Sequence, residues 1–194
     1  IYGENQSQLI YQVQQQKPDC ILLCGDIVDD KAPRAGAEQL LQQITDIAPC
    51  YYVSGNHEFW SNQAEDIFDM IESYGIRVLR NEQETVTIQG VSFTLCGVDD
   101  PAATGDQRPK SYGEATTYQR ILQSFHNLPS KQLNILLAHR PEYILEYAKY
   151  PFDLVLCGHA HGGQWRIPYL LNGLIAPNQG LFPKYAGGVY TCGT

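Results

Sequence analysis

Cys20-Ile21-Leu22-Leu23-Cys24-Gly25-Asp26, read beside Cys50-Tyr51-Tyr52-Val53-Ser54-Gly55-Asn56-His57-Glu58, decides the architecture: a short apolar run, then a turn carrying groups that bind ions or move protons. The pattern returns in Asn134-Ile135-Leu136-Leu137-Ala138-His139 and in Asp153-Leu154-Val155-Leu156-Cys157-Gly158-His159-Ala160-His161-Gly162-Gly163. Runs this short, rich in Ile, Leu, Val and Tyr, read as strands buried on both faces. Between them, helical patterns cover Gln6 to Gln16, Ala35 to Ala48, Asn62 to Tyr74, Glu114 to Asn127 and Glu142 to Tyr150. Glu84 to Cys96 alternates apolar and polar residues about Gly90, the mark of an antiparallel hairpin. The Gly- and Pro-rich stretch Trp165 to Tyr190 predicts short strands and turns. The expectation is a mixed α/β domain with an open sheet core and an added antiparallel portion. In open α/β sheets functional groups gather beyond the carboxyl ends of the strands. Asp26, Asn56 with His57, His139, and His159 with His161 are thus expected to converge at one edge of one sheet.

The 194 residues suit a single domain, here taken as residues 1–194. With 43% hydrophobic and 18% charged residues, no internal repeat and no apolar run long enough to cross a bilayer, the composition is that of an ordinary globular protein. The net charge is -8 and the basic residues are scattered singly, which argues against a protein that tracks a nucleic-acid backbone. Affinity for phosphate must then be local, and a metal cluster is the obvious source. The six cysteines form no Cys-x-x-Cys pair and mostly lie in or beside predicted strands, so reduced, buried thiols are expected rather than disulfides or thiolate metal ligands, and a reducing compartment is favoured.

Imidazole and carboxylate hold Mn, Fe or Zn well, and an Asn amide oxygen serves as a neutral ligand beside them. The two oxygens of Asp26 suffice to bridge two ions at the roughly 3.5–4 Å separation of two-metal hydrolases. A water shared between such ions becomes a nucleophile near neutral pH. His159 and His161 alternate in what reads as an extended turn, so each reaches a different ion, and His57, next to a ligand, is free to act as general acid.

The order Gly25-Asp26-x-x-Asp29, Gly55-Asn56-His57-Glu58, His139 and Gly158-His159-x-His161 resembles the calcineurin-like metallophosphoesterase superfamily over most of the chain. His161-Gly162-Gly163-Gln164 and the stretch from Ala176 to Tyr185 resemble its YkuE/YaeI-like phosphohydrolase branch. The resemblance implies a four-layer α/β/β/α sandwich and a metal-dependent phosphoester hydrolase, a phosphodiesterase or phosphomonoesterase. It makes Asp26 the bridge, completes one metal site with Asn56, His139 and His159, puts His161 at the other, and makes His57 the catalytic acid. The superfamily opens with a strand ending in Asp-x-His, and no such pair precedes Gly25. The expectation is therefore a domain lacking its first strand and its closing strands, with one ion well held and the other weak or absent. The alternative is a metallophosphoesterase-fold scaffold or binding protein that has lost catalysis.

Several residues have plainer readings. Asp29 either orients His57 or caps the following loop. Asp99 and Asp100, after a predicted strand, either approach the site or, as the better reading, start an Asx-turn before Pro101. His126 is a partly exposed structural residue. Ala102 to Gly113, with Arg108, Lys110 and Tyr112, reads as an exposed polar loop that either shapes the substrate mouth or is disordered. Phe59, Trp60, Trp165, Phe182 and Tyr185 either line an apolar cleft for a lipid-linked or nucleotide phosphoester or pack in the core. A cytoplasmic and a membrane-peripheral location both fit.

Overall fold

Each apolar run becomes a strand, but the strands are divided between two sheets. The computed structural model describes residues 2–105, 115–167 and 169–192. Arg108, Lys110 and Tyr112 of the expected mouth loop lie outside the described residues.

In the first sheet β1 (Ile21–Cys24), β2 (Cys50–Val53) and β3 (Arg77–Val78) run parallel in the order β1-β2-β3. In the second, β4 (Glu82–Ile88) and β5 (Val91–Gly97) form the hairpin expected about Gly90, and β6 (Leu133–Leu137) and β7 (Leu154–Leu156) add in parallel, giving the order β4-β5-β6-β7. Val53, Leu79, Val86, Leu95, Ile135 and Leu137 form one buried cluster that draws on both sheets. The single open sheet expected from the apolar runs is thus corrected to two facing sheets. A strand buried on both faces reads the same whether its second cover is a helix or another sheet.

The outer face of the first sheet is covered by α1 (Ser7–Gln16), α2 (Ala35–Ile44) and, after the short α3 (Asn56–Trp60), by α4 (Ala64–Ser73), whose apolar stripes meet Leu23 and Tyr52. Fully buried residues there such as Leu41, Ile67 and Ile71 each contribute roughly 1.5–3 kcal/mol relative to exposure. The second sheet is covered by α5 (Thr117–Leu122), continued by a 3-10 turn, and by α6 (Ile144–Tyr147), with Tyr118, Leu122, Phe125, Tyr143 and Tyr147 packing on Cys96, Leu136 and Ala138. A capping box starts α5: Thr116 Oγ1 accepts from Gln119 N at 3.1 Å, and Gln119 Oε1 accepts from Thr116 N at 2.9 Å. The result is the α/β/β/α layering.

Beyond β7 the chain makes an isolated bridge, Ile167 to Leu171, and a small antiparallel pair, β8 (Ile175–Ala176) with β9 (Gly180–Leu181). All six cysteines are free thiols: Cys50 and Cys96 are buried, Cys20, Cys24 and Cys157 half-buried, and Cys192 exposed. Among the described residues no helix is long and apolar enough to cross a membrane.

Candidate metal centre

The carboxyl ends of β1 and β2 in one sheet, and of β6 and β7 in the other, open to the same side, and the gap between the sheets holds the site. Two glycines let the loops meet there. A Cβ on Gly25, whose φ is +82°, would lie 2.5 Å from Gly55 N and 2.7 Å from His139 Nδ1. A Cβ on Gly55 would collide with Asp26 Oδ1. Both positions require the smallest residue because backbone, carboxylate and imidazole crowd them.

Asp26, His139 and His159 each offer one donor atom within 4.8 Å of the others. His139 Nδ1 lies 2.6 Å from Cys24 O and donates its proton there, which leaves Nε2 as the lone-pair nitrogen of the neutral ring. That Nε2 faces Asp26 Oδ2 at 2.9 Å and His159 Nδ1 at 3.1 Å. Burial pushes the Asp26 carboxyl up, but the hydrogen bond and charge of His139 outweigh it and leave the carboxyl below the usual range. Burial likewise depresses His139, and the Asp26 carboxylate more than reverses this, so its pKa is raised. Burial, followed by the positive charges of His139 and Arg140, drops His159 to about 3, which keeps its ring neutral at physiological pH. Three electron-pair donors facing one another need a cation between them, and a proton on His139 is the minimum.

Asn56, in the loop after β2, offers a further oxygen. It is buried, and its Oδ1 has no hydrogen-bond partner, an arrangement that is costly unless a cation takes the oxygen. One carboxylate, two imidazoles and an amide oxygen fit a divalent transition ion.

His161 is not brought into this group. The turn is not extended as expected: His159 and His161 take φ of 59° and 49°, Ala160 between them is right-handed helical, and a 3-10 turn follows at His161–Gly163. That winding buries His159 and leaves His161 exposed.

His57 stands on the first turn of α3, with its backbone N donating to Asp26 Oδ1 at 3.0 Å. Its Nδ1 pairs with Asp30 Oδ1 at 2.5 Å, whereas Asp29 Oδ2 is 3.6 Å away. Asp29 caps the loop instead, accepting from Lys31 N at 2.8 Å and Ala32 N at 2.7 Å. Of the two readings of Asp29, capping is the one its hydrogen bonds satisfy, and Asp30 is the partner that sequence reasoning missed.

Glu58 was also missed. Its buried carboxylate accepts from Gly55 N at 2.8 Å, Val28 N at 3.1 Å and Asp26 N at 3.2 Å, joining the loops after β1 and β2. Its position three residues after the helix cap was the available signal. Asp100 accepts from Ala102 N at 2.8 Å in the expected Asx-turn, and it also holds the buried Arg140, next to His139, through contacts of 2.7 and 2.9 Å. Asp99 accepts from Ser54, Arg80 and Asn81. Asn178 Nδ2 lies 3.1 Å from His159 Nε2 and 3.0 Å from Glu142 Oε1, so the segment after β7 reaches back to the site. No local sequence pattern announces that contact.

The five aromatic residues are distributed over different settings. Phe59 packs edge-on against Phe68 in the core and Trp60 lies beside His57 with ring centroids 5.2 Å apart. Trp165 and Phe182 are exposed, and Tyr185 lines a cavity of about 240 Å³ beside β7. His126 is exposed, edge-on to Tyr150.

Residues 4–163 match the family described as calcineurin-like phosphoesterase. Phosphodiesterase YaeI of Escherichia coli is 34% identical over 158 residues, covering 79% of this chain and 53% of that protein. The metallophosphoesterase YkuE of Bacillus subtilis is 26% identical over 197 residues, covering 98% of this chain and 63% of that protein. The chain thus spans about half to two-thirds of the length of these relatives. Among solved structures, the sulfate thiohydrolase SoxB of Thermus thermophilus is similar in fold, with a TM-score of 0.53 at 14% identity, covering 79% of this chain and 33% of that one.

Proposed function

This chain belongs to the calcineurin-like phosphoesterase family, and on that footing we propose that it hydrolyses a phosphoester bond with the help of divalent metal. The observation that carries the reading is the convergence of Asp26 Oδ2, His139 Nε2 and His159 Nδ1, with the buried, unpartnered Oδ1 of Asn56 in the adjoining loop.

Asp26, Asn56, His139 and His159 would hold one Mn, Fe or Zn ion, and Asp26 with the exposed His161 would offer a second, weaker position. Such ions supply charge neutralisation at the phosphoryl oxygens and acidify water enough to attack phosphorus near neutral pH. Cys24 O fixes the tautomer of His139, so its Nε2 lone pair faces Asp26 and His159, where an ion would be held. His57, its Nδ1 held by Asp30, has its Nε2 left to protonate the leaving oxygen. The name of YaeI supports a phosphodiester over a monoester, and lipid-linked or nucleotide phosphoesters both suit this chemistry. Cytoplasmic and membrane-peripheral locations are both consistent with this reading.

His57→Asn tests it. The variant should retain its metal and lose about 10²–10⁴ in the rate of hydrolysis of a generic aryl phosphodiester. Unchanged hydrolysis removes His57 from the reaction. Elemental analysis should find one tightly held ion per chain, and two tight ions contradict the weak second position. A chain that binds metal yet hydrolyses no phosphoester is the scaffold of the alternative reading.

A further inference from the structure

Glu142 stands in the 3-10 turn Pro141–Tyr143, three residues after His139, and its side chain is only 10% exposed. A carboxylate taken that far from water needs donors for both of its oxygens. Oε1 accepts from Asn178 Nδ2 at 3.0 Å, but Oε2 is buried with no hydrogen-bond partner. Arg140 does not supply the missing donor. Its guanidinium is gripped by Asp100 at 2.7 and 2.9 Å, and its Nη1 stays 3.9 Å from Glu142 Oε1.

His159 has the complementary need. A neutral imidazole carries one proton, and for Nδ1 to offer its lone pair beside His139 Nε2, 3.1 Å away, that proton must sit on Nε2. The Nε2–H is then a donor on a side chain only 4% exposed, and it faces Asn178 Nδ2, another donor, at 3.1 Å. Turning the amide over gives no relief, because its oxygen would then meet Glu142 Oε1, acceptor against acceptor. The carboxylate that faces Nε2 is Glu142, with Oε1 at 3.9 Å. His159 thus lacks an acceptor for one proton and Glu142 lacks a donor for one oxygen, across a gap that a shift of about 1 Å brings to hydrogen-bond distance.

We propose that Glu142 is a positioning residue of the metal centre: it accepts the Nε2–H of His159 and so keeps the Nδ1 lone pair free for the cation, while Asn178 stays on the other carboxylate oxygen. A ligating imidazole that donates its second N–H to a carboxylate is fixed in tautomer and orientation and is a stronger base toward the ion. The loop after β6 then sets both imidazoles, His139 by carrying it and His159 through the carboxylate behind it. This role rests on the metal-binding part of the phosphoester-hydrolase reading and adds to it a residue that touches neither ion nor substrate.

The test loads the full chain with Zn and reads two quantities: which His159 ring nitrogen carries the proton, by nitrogen-15 NMR, and Zn affinity, by competition with a chromophoric chelator. Zn-loaded wild type should carry the proton on Nε2. Glu142→Gln, of the same size but uncharged, should lower Zn affinity by about 10–100-fold. In a His159→Ala background the same change should lower it by less than about twofold, because the ring it acts through is gone. A proton on Nδ1 in the loaded protein overturns the proposal. So does a Glu142→Gln chain that holds Zn as tightly as wild type, and so does an equal loss in both backgrounds, which would make Glu142 a support of its loop rather than of His159. If Glu142→Gln fails to fold, the nitrogen assignment in wild type decides alone. Hydrolysis of an aryl phosphodiester is measured alongside. A chain that shows the coupling in Zn affinity but cleaves nothing keeps the role of Glu142 and overturns the hydrolase reading; a chain that cleaves the diester without that coupling overturns the role of Glu142 alone.

Discussion

The metal centre has two unlike walls. One is built from the loops after β1, β2, β5 and β6 and is tied by buried charge: Glu58 accepts from three backbone N–H groups of the Asp26 and Asn56 loops, and Asp100 grips Arg140 beside His139. The other is the segment after β7, where His159, His161, Gln164, Tyr169, Asn178 and Phe182 all take positive φ and apolar side chains face solvent. Left-handed conformations at such residues cost of order 1–3 kcal/mol each unless their surroundings compensate. The first wall fixes ligand geometry. The second contributes one candidate ligand, His159, and carries exposed apolar side chains. Stability and first-ion affinity should therefore respond most to the first wall.

Changes at the shared carboxylate should be largest. Asp26→Ala removes the donor that faces His139 Nε2, and should abolish metal retention and lower hydrolysis by roughly a thousandfold or more. Elemental analysis alongside an aryl phosphodiester assay reads both, and a variant that still holds its ion would break the picture of Asp26 as the central ligand. Next comes Arg140→Met, which strands the buried Asp100 carboxylate and should cost about 3–5 kcal/mol in urea denaturation. A change of similar size from an exposed residue of the 165–182 loops would erase the contrast in stability between the walls.

His57 supplies a smaller and sharper test. Asp30→Asn should slow hydrolysis by about 10–100-fold while metal content holds, because the ring loses its charged partner, and Asp29→Asn should leave the rate nearly unchanged. Equal effects would mean that Asp29 shares the orienting role despite its bonds to Lys31 and Ala32.

That pair of aspartates also shows what the sequence makes legible. The strands were readable because a short apolar run that ends in Gly, His or Asn is too brief for a buried helix, and the loops then had to lie at the carboxyl ends. Whether those strands formed one sheet or two was not readable from periodicity, since the inward faces of Val53 and Ile135 look the same under a helix or under each other; the two-sheet sandwich was implied only by the family resemblance that the Asp, Asn and His blocks carry. Which aspartate turns toward His57 depends on where the Asx-turn closes, a backbone detail that Asp29-Asp30-Lys31-Ala32-Pro33 leaves open. The displacement of His161 has the same origin. An alternating pair suggests an extended strand, and only the positive φ of both histidines reveals a compact turn that buries one and exposes the other. Asn178 lies 19 residues after His159 on a different turn, so no periodicity links them.

Asn178 is where the two walls are joined, and it should give the smallest effect. Its amide lies between His159 Nε2 and Glu142 Oε1 and so braces the outer nitrogen of a ring whose inner nitrogen faces the ion site. Asn178→Ala frees that ring without removing any donor, and should lower metal affinity by about tenfold, the low end for a residue that only orients a ligand. Unfolding stability should fall by only about 1 kcal/mol, because the contact to His159 is part-buried and Glu142, which loses its hydrogen bond from Asn178, keeps Arg140 at 3.9 Å. Metal titration followed by urea denaturation separates the two quantities. A large loss of stability would make the segment after β7 a structural wall like the first. A loss of affinity alone would make His159 the one ligand whose setting is tuned from the segment after β7.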